Sequence, residues 1–388
     1  MEKEMLMSKY NSIFPKCEDL RYYFSPGRIN VIGEHIDYNG GLVFPCAISL
    51  GTYAIVSLRS DEKVVIYSES IPSVGKITFD LTKKIYKKNN WGDYVKGVIS
   101  EIKKTGCKVS KGFNAYVYGN LPKGASVSSS ASLELLFAEI VRDLNKLDLS
   151  DLDLVKISQK AENNFVGLRC GIMDQFAIGM SKKNHAILLD CANIKYEYVP
   201  LELKDNVILI MNTNKSRSLV TSKYNERCDE CAKGLKLIRD NYKEVNFLCE
   251  LEENDLPAIN KLITDKVVYR RVQHVITEMD RVKKTYNALN VGDLELVGKM
   301  LNASHKSLKE DYEVTGLELD TIVELAQNVE GVLGARMIGA GFAGCAIAIV
   351  NKKSVDNVIN TVKLGYKEKI GYDCDILVAE TNDRTGRM

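Results

Sequence analysis

The run Leu121-Pro-Lys-Gly-Ala-Ser-Val-Ser-Ser-Ser-Ala-Ser-Leu-Glu134 leads straight into the strongest amphipathic pattern of the chain, with Leu133, Leu136, Ile140, Leu144 and Leu147 spaced by three and four. Apolar residues at those intervals line one face of an α-helix. The chain is thereby confined to folds in which a buried helix begins at a short loop of small residues. Such a loop lets backbone N–H groups approach an anion, and the helix aims the positive end of its dipole at the same point. The junction reads as a phosphate cradle in which serine hydroxyls add hydrogen bonds or ligate magnesium. Helix capping is the competing reading, because serine is a favoured N-cap. Three consecutive serines, Ser128 to Ser130, exceed what a cap requires. Gly119 to Ser126 has the spacing of a Walker loop, yet Ala125 stands where its lysine belongs.

A second stretch, Gly27-Arg-Ile-Asn-Val-Ile-Gly-Glu-His-Ile-Asp-Tyr-Asn-Gly-Gly41, crowds Arg28, Glu34, His35 and Asp37 together beside turn-forming glycines. Arginine can hold developing negative charge, and Glu, His and Asp offer directional hydrogen bonds to hydroxyls. A loop of this composition suits a polyhydroxylated ligand, a sugar first of all.

Around these two stretches the patterning alternates between strand and helix. Strands are expected at Leu42 to Ala47, Thr52 to Leu58 and Val64 to Tyr67. Helical faces follow at Trp91, Tyr94, Val98 and Ile102, and at Leu154, Ile157, Ala161 and Phe165. After a strand at Val207 to Met211 helices dominate, the clearest carrying Val268, Val272, Val275, Met279, Val282, Tyr286 and Leu289. Strands at Cys345 to Val350 and Asp375 to Ala379 complete a second layered unit. A length of 388 residues favours two cores with a cleft between them. The expected boundary is near residue 200, giving units 1–200 and 201–388.

Composition narrows the function class. Hydrophobic content of 45% with 27% charged residues and only 7 prolines fits a compact soluble protein. A net charge of +2 gives no basic footprint for nucleic acid. The start, Met1-Glu2-Lys3-Glu4-Met5, lacks the apolar core of a secretion signal, and the apolar run from Leu42 to Leu58 is broken by Pro45 and Gly51, short of a membrane span. A cytoplasmic protein is expected, with its ten cysteines reduced. Cys228 and Cys231 form a CxxC with no matching second pair inside a helical-looking stretch, so a structural reading is preferred to zinc or redox chemistry. Gly339-Ala-Gly-Phe-Ala-Gly344 matches GxGxxG, but a strand-like run follows where a dinucleotide site needs a helix, so the glycines are expected to turn the chain into a strand.

In this order and spacing, the three stretches resemble the galactokinases, members of the GHMP superfamily of small-molecule kinases. Residues 27–41 are similar to the galactokinase signature, 122–132 to the superfamily's ATP loop and 339–345 to its third motif. Trp91 to Val98, Cys170 to Gln175, Arg217 to Asn225, Arg270 to Val282 and Asp311 to Asp320 extend the likeness over nearly the whole chain. The resemblance implies an α+β, two-domain GHMP kinase fold. Its N-terminal domain is ribosomal-protein-S5-like mixed α/β, its C-terminal domain ferredoxin-like α+β, and the active site lies in the cleft between them.

The implied reaction moves the γ-phosphoryl group of ATP onto the anomeric C1 hydroxyl of galactose. Asp174 matches the catalytic base, and Arg28 the residue that steadies charge between base and phosphoryl group. Glu34, His35, Ile36, Asp37, Gly171 and Tyr224 match the sugar pocket. Ser68, Gly124, Ala125, Ser126, Val127, Ser128, Ser129 and Ser130 match the ATP site, and Ser130 and Glu162 the magnesium ligands. The implied partners are a small-molecule sugar and ATP with Mg2+, without nucleic acid or membrane, in a monomer. Read from the residues alone, Asp174 suits a helix cap and Glu162 a solvated helix position; the order of motifs reverses both. His185, His274 and His305 are read as structural.

The chain departs from the family's pattern at Ser126 and Val127, where glycine then leucine is usual, and at Ala343, where glycine is usual. Each adds a Cβ, so folding is expected to survive with modest nucleotide affinity or rate. Ile36 replaces a more usual threonine, as in a relative that phosphorylates N-acetylgalactosamine, which leaves that sugar as the alternative substrate. A catalytically silent sugar and ATP sensor is a second alternative, disfavoured because Ser130-Ala131, Asp174, Arg28 and Glu162 are all present, and a different superfamily kinase such as a mevalonate kinase is a third, disfavoured by the polar loop from Glu34 to Asn39.

Overall fold

The computed structural model of the chain describes residues 3–122, 127–168, 170–216, 220–242 and 244–388. Its largest sheet has six strands, in spatial order Gly386–Arg387, Arg21–Asn30, Pro45–Leu58, Phe113–Gly119, Lys63–Ser68 and Ile77–Asp80. Neighbours are antiparallel except Lys63–Ser68, which runs parallel to Phe113–Gly119. Helices Gly92–Lys104 and Ser129–Asn145 bury their apolar stripes on this sheet, where Val98, Ile102, Leu136 and Ile140 meet Val64, Ile66 and Phe113, and helix Asp151–Lys160 packs on both helices. The helix Asp151–Lys160 opens with a reciprocal Ser150–Asp153 capping box.

The runs expected as separate strands at Leu42 to Ala47 and Thr52 to Leu58 are one strand, Pro45–Leu58, preceded by the short strand Leu42–Val43. Pro45 stands at the strand's first position, where a missing N–H is tolerated. Gly51 continues the strand because a Cβ there would lie 2.2 Å from the Ser25 carbonyl oxygen of the neighbouring strand. The register shifts beside it, between Pro26 and Gly27.

The second sheet has four strands in the order Val332–Met337, Cys345–Asn351, Asn206–Asn212 and Asp375–Ala379. With helices between the first and second of these in sequence and between the third and fourth, the unit is βαββαβ, the ferredoxin-like arrangement. The central strand Asn206–Asn212 is apolar on both faces because both are covered. The long helix Lys266–Asn290 starts at Asp265, whose carboxylate accepts from the Val267 and Val268 N–H groups, and it buries Val268, Val272, Val275, Met279 and Val282 as its spacing predicts. Residues Val332 to Met337 form an edge strand.

A third sheet, Leu42–Val43, His185–Asp190 and Lys195–Pro200, packs on helix Met173–Met180. One apolar cluster runs from Ile29, Val31, Ile32 and Ile36 into Ile210, Val275 and Met337, joining the two halves. The chain end returns to the first sheet, where Gly386–Arg387 pairs with Tyr23 and Phe24. Among the described residues no helix is long and apolar enough to cross a membrane.

Candidate active site

Arg28 lies on the strand Arg21–Asn30 and Asp174 in the first turn of helix Met173–Met180, 146 positions apart in sequence. Packing brings them into a two-pronged ion pair, Arg28 Nε donating to Asp174 Oδ1 at 2.9 Å and Nη2 to Oδ2 at 3.0 Å. The Ser128 hydroxyl also donates to Asp174 Oδ2. A carboxylate has roughly four lone-pair positions. Three of these are taken by donors among the described residues.

The loop before helix Ser129–Asn145 reaches the same point. Arg28 N–H donates to the Val127 carbonyl at 3.2 Å. Gly27 permits this approach, since a Cβ there would stand 2.6 Å from Leu121 Cδ2 and 2.9 Å from the Val127 carbonyl oxygen. Ser128 occupies the N-cap position with a left-handed φ of 60° and makes no side-chain cap bond. Its hydroxyl goes to Asp174, which decides against the capping reading for this serine. Ser129 is exposed and Ser130 half-buried. Ser68 is buried at the end of its strand, in register with Val117. Gly124, Ala125 and Ser126 lie outside the described residues.

Glu162, for which a solvated helix position is the competing reading, is buried. The helix Asp151–Lys160 passes at Ala161 into a π-turn, Ala161–Val166, which re-aims the chain there. Glu162 Oε2 accepts from Gln175 Nε2 at 2.7 Å and from Cys170 Sγ at 3.4 Å. Burial raises its pKa, opposed by hydrogen bonds that include one from Ser130. Glu134 was not foreseen. It is 0% exposed and accepts from the same Gln175 amide at 3.2 Å. Burial first, then the nearby charges of Glu162 and Asp174, push its carboxyl up to about 9. The signal was its place four residues after Ser130 on one helix face.

Glu134 thus holds a proton at neutral pH, and the stability it contributes is full below its ordinary value of 4.5 and lost as the pH rises through about 9. Glu134→Gln, which mimics the neutral acid, is expected to fold normally at pH 7 and to flatten that decline. Thermal unfolding of both proteins across pH 5 to 10 checks this; parallel curves would mean the carboxyl is ionised throughout.

The signature loop 33–41 follows the strand. Glu34 Oε1 accepts from Arg336 Nη2 at 3.0 Å and from Gly339 N–H at 2.9 Å, and its Oε2 from Asn30 Nδ2 at 3.2 Å. Arg336 is fully buried and also donates to the Val31 and Asn30 carbonyls. His35 takes a left-handed φ of 64°. Its ring lies 5.7 Å from that of Tyr224, and Tyr224 is 5.5 Å from Tyr38. Loss of water, with Glu34 and Asp174 adding negative charge, pushes Asp37 up to about 6. A Cβ on Gly171 would lie 3.6 Å from Asp37 Oδ2, so these two border one space. Ile36 points away, fully buried in the larger core beside Cys249.

The third glycine stretch links two antiparallel strands, as its context predicts, and its backbone holds Glu34. Phe342, with φ 60°, takes the glycine-like conformation, and Ala343 does not. The Cβ of Ala343 is therefore carried without backbone strain. His274 bonds to Ser307 and to the Glu34 carbonyl, a structural role.

Ser130 and Glu162 offer hard oxygen donors beside the helix N-terminus. Magnesium is commonly held by one or two carboxylates completed by substrate phosphates, so this donor set fits it. No group of three or more His, Cys, Asp or Glu among the described residues makes an all-protein metal cage.

The Galactokinase galactose-binding signature matches residues 8–58, the GHMP kinases N terminal domain residues 93–182 and the GHMP kinases C terminal residues 285–368. The chain is 46% identical over 386 residues to the galactokinase of Fusobacterium nucleatum subsp. nucleatum, covering 99% of each. It is 51% identical over 365 residues to that of Staphylococcus saprophyticus subsp. saprophyticus, covering 94% of each. Among solved structures, Lactococcus lactis galactokinase complexed with galactose matches with a TM-score of 0.91 at 45% identity over 99% of both chains. Methanococcus jannaschii mevalonate kinase matches at 0.66 with 19% identity over 95% of this chain and 100% of that one, a likeness of fold alone.

Proposed function

Because the chain belongs to the galactokinase family of the GHMP kinases, we propose that Asp174 and Arg28 are the groups at which ATP and galactose meet. The protein is an ATP-dependent sugar kinase that transfers the γ-phosphoryl group of ATP to the anomeric C1 hydroxyl of galactose, giving galactose 1-phosphate and ADP. The observation that carries the residue assignment is the two-pronged Arg28–Asp174 pair, tied through Ser128 to the loop at the helix N-terminus.

In this reading Asp174 accepts the sugar proton late. Its carboxylate already receives three hydrogen bonds, which fix its position. A loose phosphoryl-transfer transition state tolerates a weak base, since the nucleophile need not be deprotonated before the leaving group departs. Arg28 spans the carboxylate and faces the charge that grows on the transferring group. Glu34, His35, Asp37, Gly171 and Tyr224 form the sugar pocket, with Ile36 supporting it from the core. Residues 124–130 and Ser68 form the ATP site. Ser130 and Glu162 would hold Mg2+, which when bound neutralises phosphate charge. The site belongs to the junction of units 1–200 and 201–388, apart from the last strand, which crosses back.

Purified protein given ATP and Mg2+ is expected to form sugar 1-phosphate from galactose in preference to N-acetylgalactosamine or glucose. Turnover of another sugar with none on galactose would overturn the substrate while leaving the reaction class.

A further inference from the structure

Behind His35 a line of hydroxyls runs into the second half of the chain. His35 Nδ1 lies 2.9 Å from the Tyr38 hydroxyl, which lies 2.7 Å from the Tyr312 hydroxyl, which lies 3.1 Å from Cys231 Sγ. Tyr312 and Cys231 are buried, and the Tyr312 ring packs 4.8 Å from His35 and 4.5 Å from His274. Arg227 Nε holds the Tyr312 carbonyl at 2.8 Å. His35 Nε2, at the other side of the ring, is buried and without a hydrogen-bond partner among the described residues.

Every link in this line has one proton to give, and the direction of the bonds is set by its two ends together with Cys228 beside Tyr38 and Asn39 beside Cys231. Burial, with His274 adding to it, lowers His35 to about 3, so the imidazole is neutral with one donor and one acceptor nitrogen. Burial pushes the Cys231 thiol up to about 11, so it keeps its S–H. A thiol is weak both as donor and as acceptor, so the imidazole end decides: a phenol O–H donates to its bare nitrogen more strongly than a neutral ring N–H donates to a phenol oxygen. The bonds therefore run from Cys231 S–H to Tyr312, from Tyr312 to Tyr38 and from Tyr38 to His35 Nδ1. The proton of the ring is left on Nε2.

We propose that Tyr38, Tyr312 and Cys231 lock His35 as the Nε2–H tautomer, and that Tyr312 is thereby a positioning residue that makes the sugar pocket select a hydroxyl oxygen acting as acceptor. The second part rests on the assignment of His35 to the sugar pocket given above. A histidine tautomer is set by the hydrogen bond at its other nitrogen. Here that bond is governed from residues 231 and 312, far from residue 35 in sequence.

The chain has only 4 histidines, so 15N-histidine NMR of the sugar-free protein resolves the question directly. Wild-type His35 is expected as a single Nε2–H form. In Tyr312→Phe the Tyr38 oxygen loses its donor and becomes free to accept from Nδ1–H, so a second tautomer emerges. KM for galactose then rises about three- to tenfold, the worth of one neutral hydrogen bond, while kcat and KM for ATP stay near wild type. Cys231→Ser keeps a donor at the end of the line and retains the wild-type tautomer. An Nδ1–H form in wild type overturns the proposal whatever the variants do. So does Tyr312→Phe with unchanged nitrogen signals, even if its KM rises, because the effect is then one of packing. If the tautomers behave as described but wild type does not use galactose, the sugar assignment fails and the lock on His35 stands.

Discussion

Asp174→Asn is expected to bind galactose and ATP nearly as wild type does while kcat falls about 10²- to 10⁴-fold, the range for a positioned proton acceptor. Shape is kept and the ability to take the C1 proton is removed. The amide also presents an NH2 group where Arg28 now donates to a carboxylate oxygen, so the two-pronged contact loses one limb. Because the loss falls on the transition state, kcat and kcat/KM should drop together. Steady-state kinetics with calorimetric galactose binding separates the effects. Turnover within a few fold of wild type would remove Asp174 from the role of base and leave Arg28 and the helix N-terminus to carry the reaction.

The second large effect is expected at Arg336→Met. Arg336 is fully buried and donates to two backbone carbonyls and to Glu34. It fastens the strand Val332–Met337 to the start of the signature loop. Removing it strands the buried Glu34 charge and leaves the Asn30 and Val31 carbonyls short of a donor. Breaking one side of a buried ion pair typically costs about 3–5 kcal/mol. Thermal unfolding should begin at a clearly lower temperature, and KM for galactose should rise because the Glu34 rotamer is no longer held. Adding Glu34→Gln to Arg336→Met should restore part of the lost stability, since the unpaired charge is gone. A double variant no more stable than Arg336→Met would show that the guanidinium acts through its carbonyl contacts and not through Glu34.

How far the site was legible in sequence depends on how local each cause is. The dense polar run from Arg28 to Asp37 and the serine run before a strong helical stripe announce themselves, since a solvated loop or a plain cap needs neither. Helix and strand placement followed from periodicity, and failed where a tertiary contact overruled a local breaker, as at Gly51, which reads as a stop yet continues a strand because it faces the Ser25 carbonyl. Glu134 and Arg336 were missed for another reason. A lone Glu in an amphipathic helix and a lone Arg in a short apolar strand look like surface residues, and nothing nearby in sequence reveals the Gln175 amide or the Glu34 carboxylate that receives them.

The order and spacing of three motifs were enough to set the family, the reaction and the candidate groups, because motif residues carry chemistry that is a property of the side chain itself. Only the folded chain decided which of those groups act together. Arg28 and Asp174 meet across 146 positions, Glu134 becomes a neutral acid, and the Tyr312 hydroxyl of the other half comes within 2.7 Å of the Tyr38 hydroxyl beside His35. Ionisation and hydrogen-bond direction depend on what surrounds a group within a few ångströms and on how much water is left there. Those are facts about packing in space, and neighbours along the chain do not contain them.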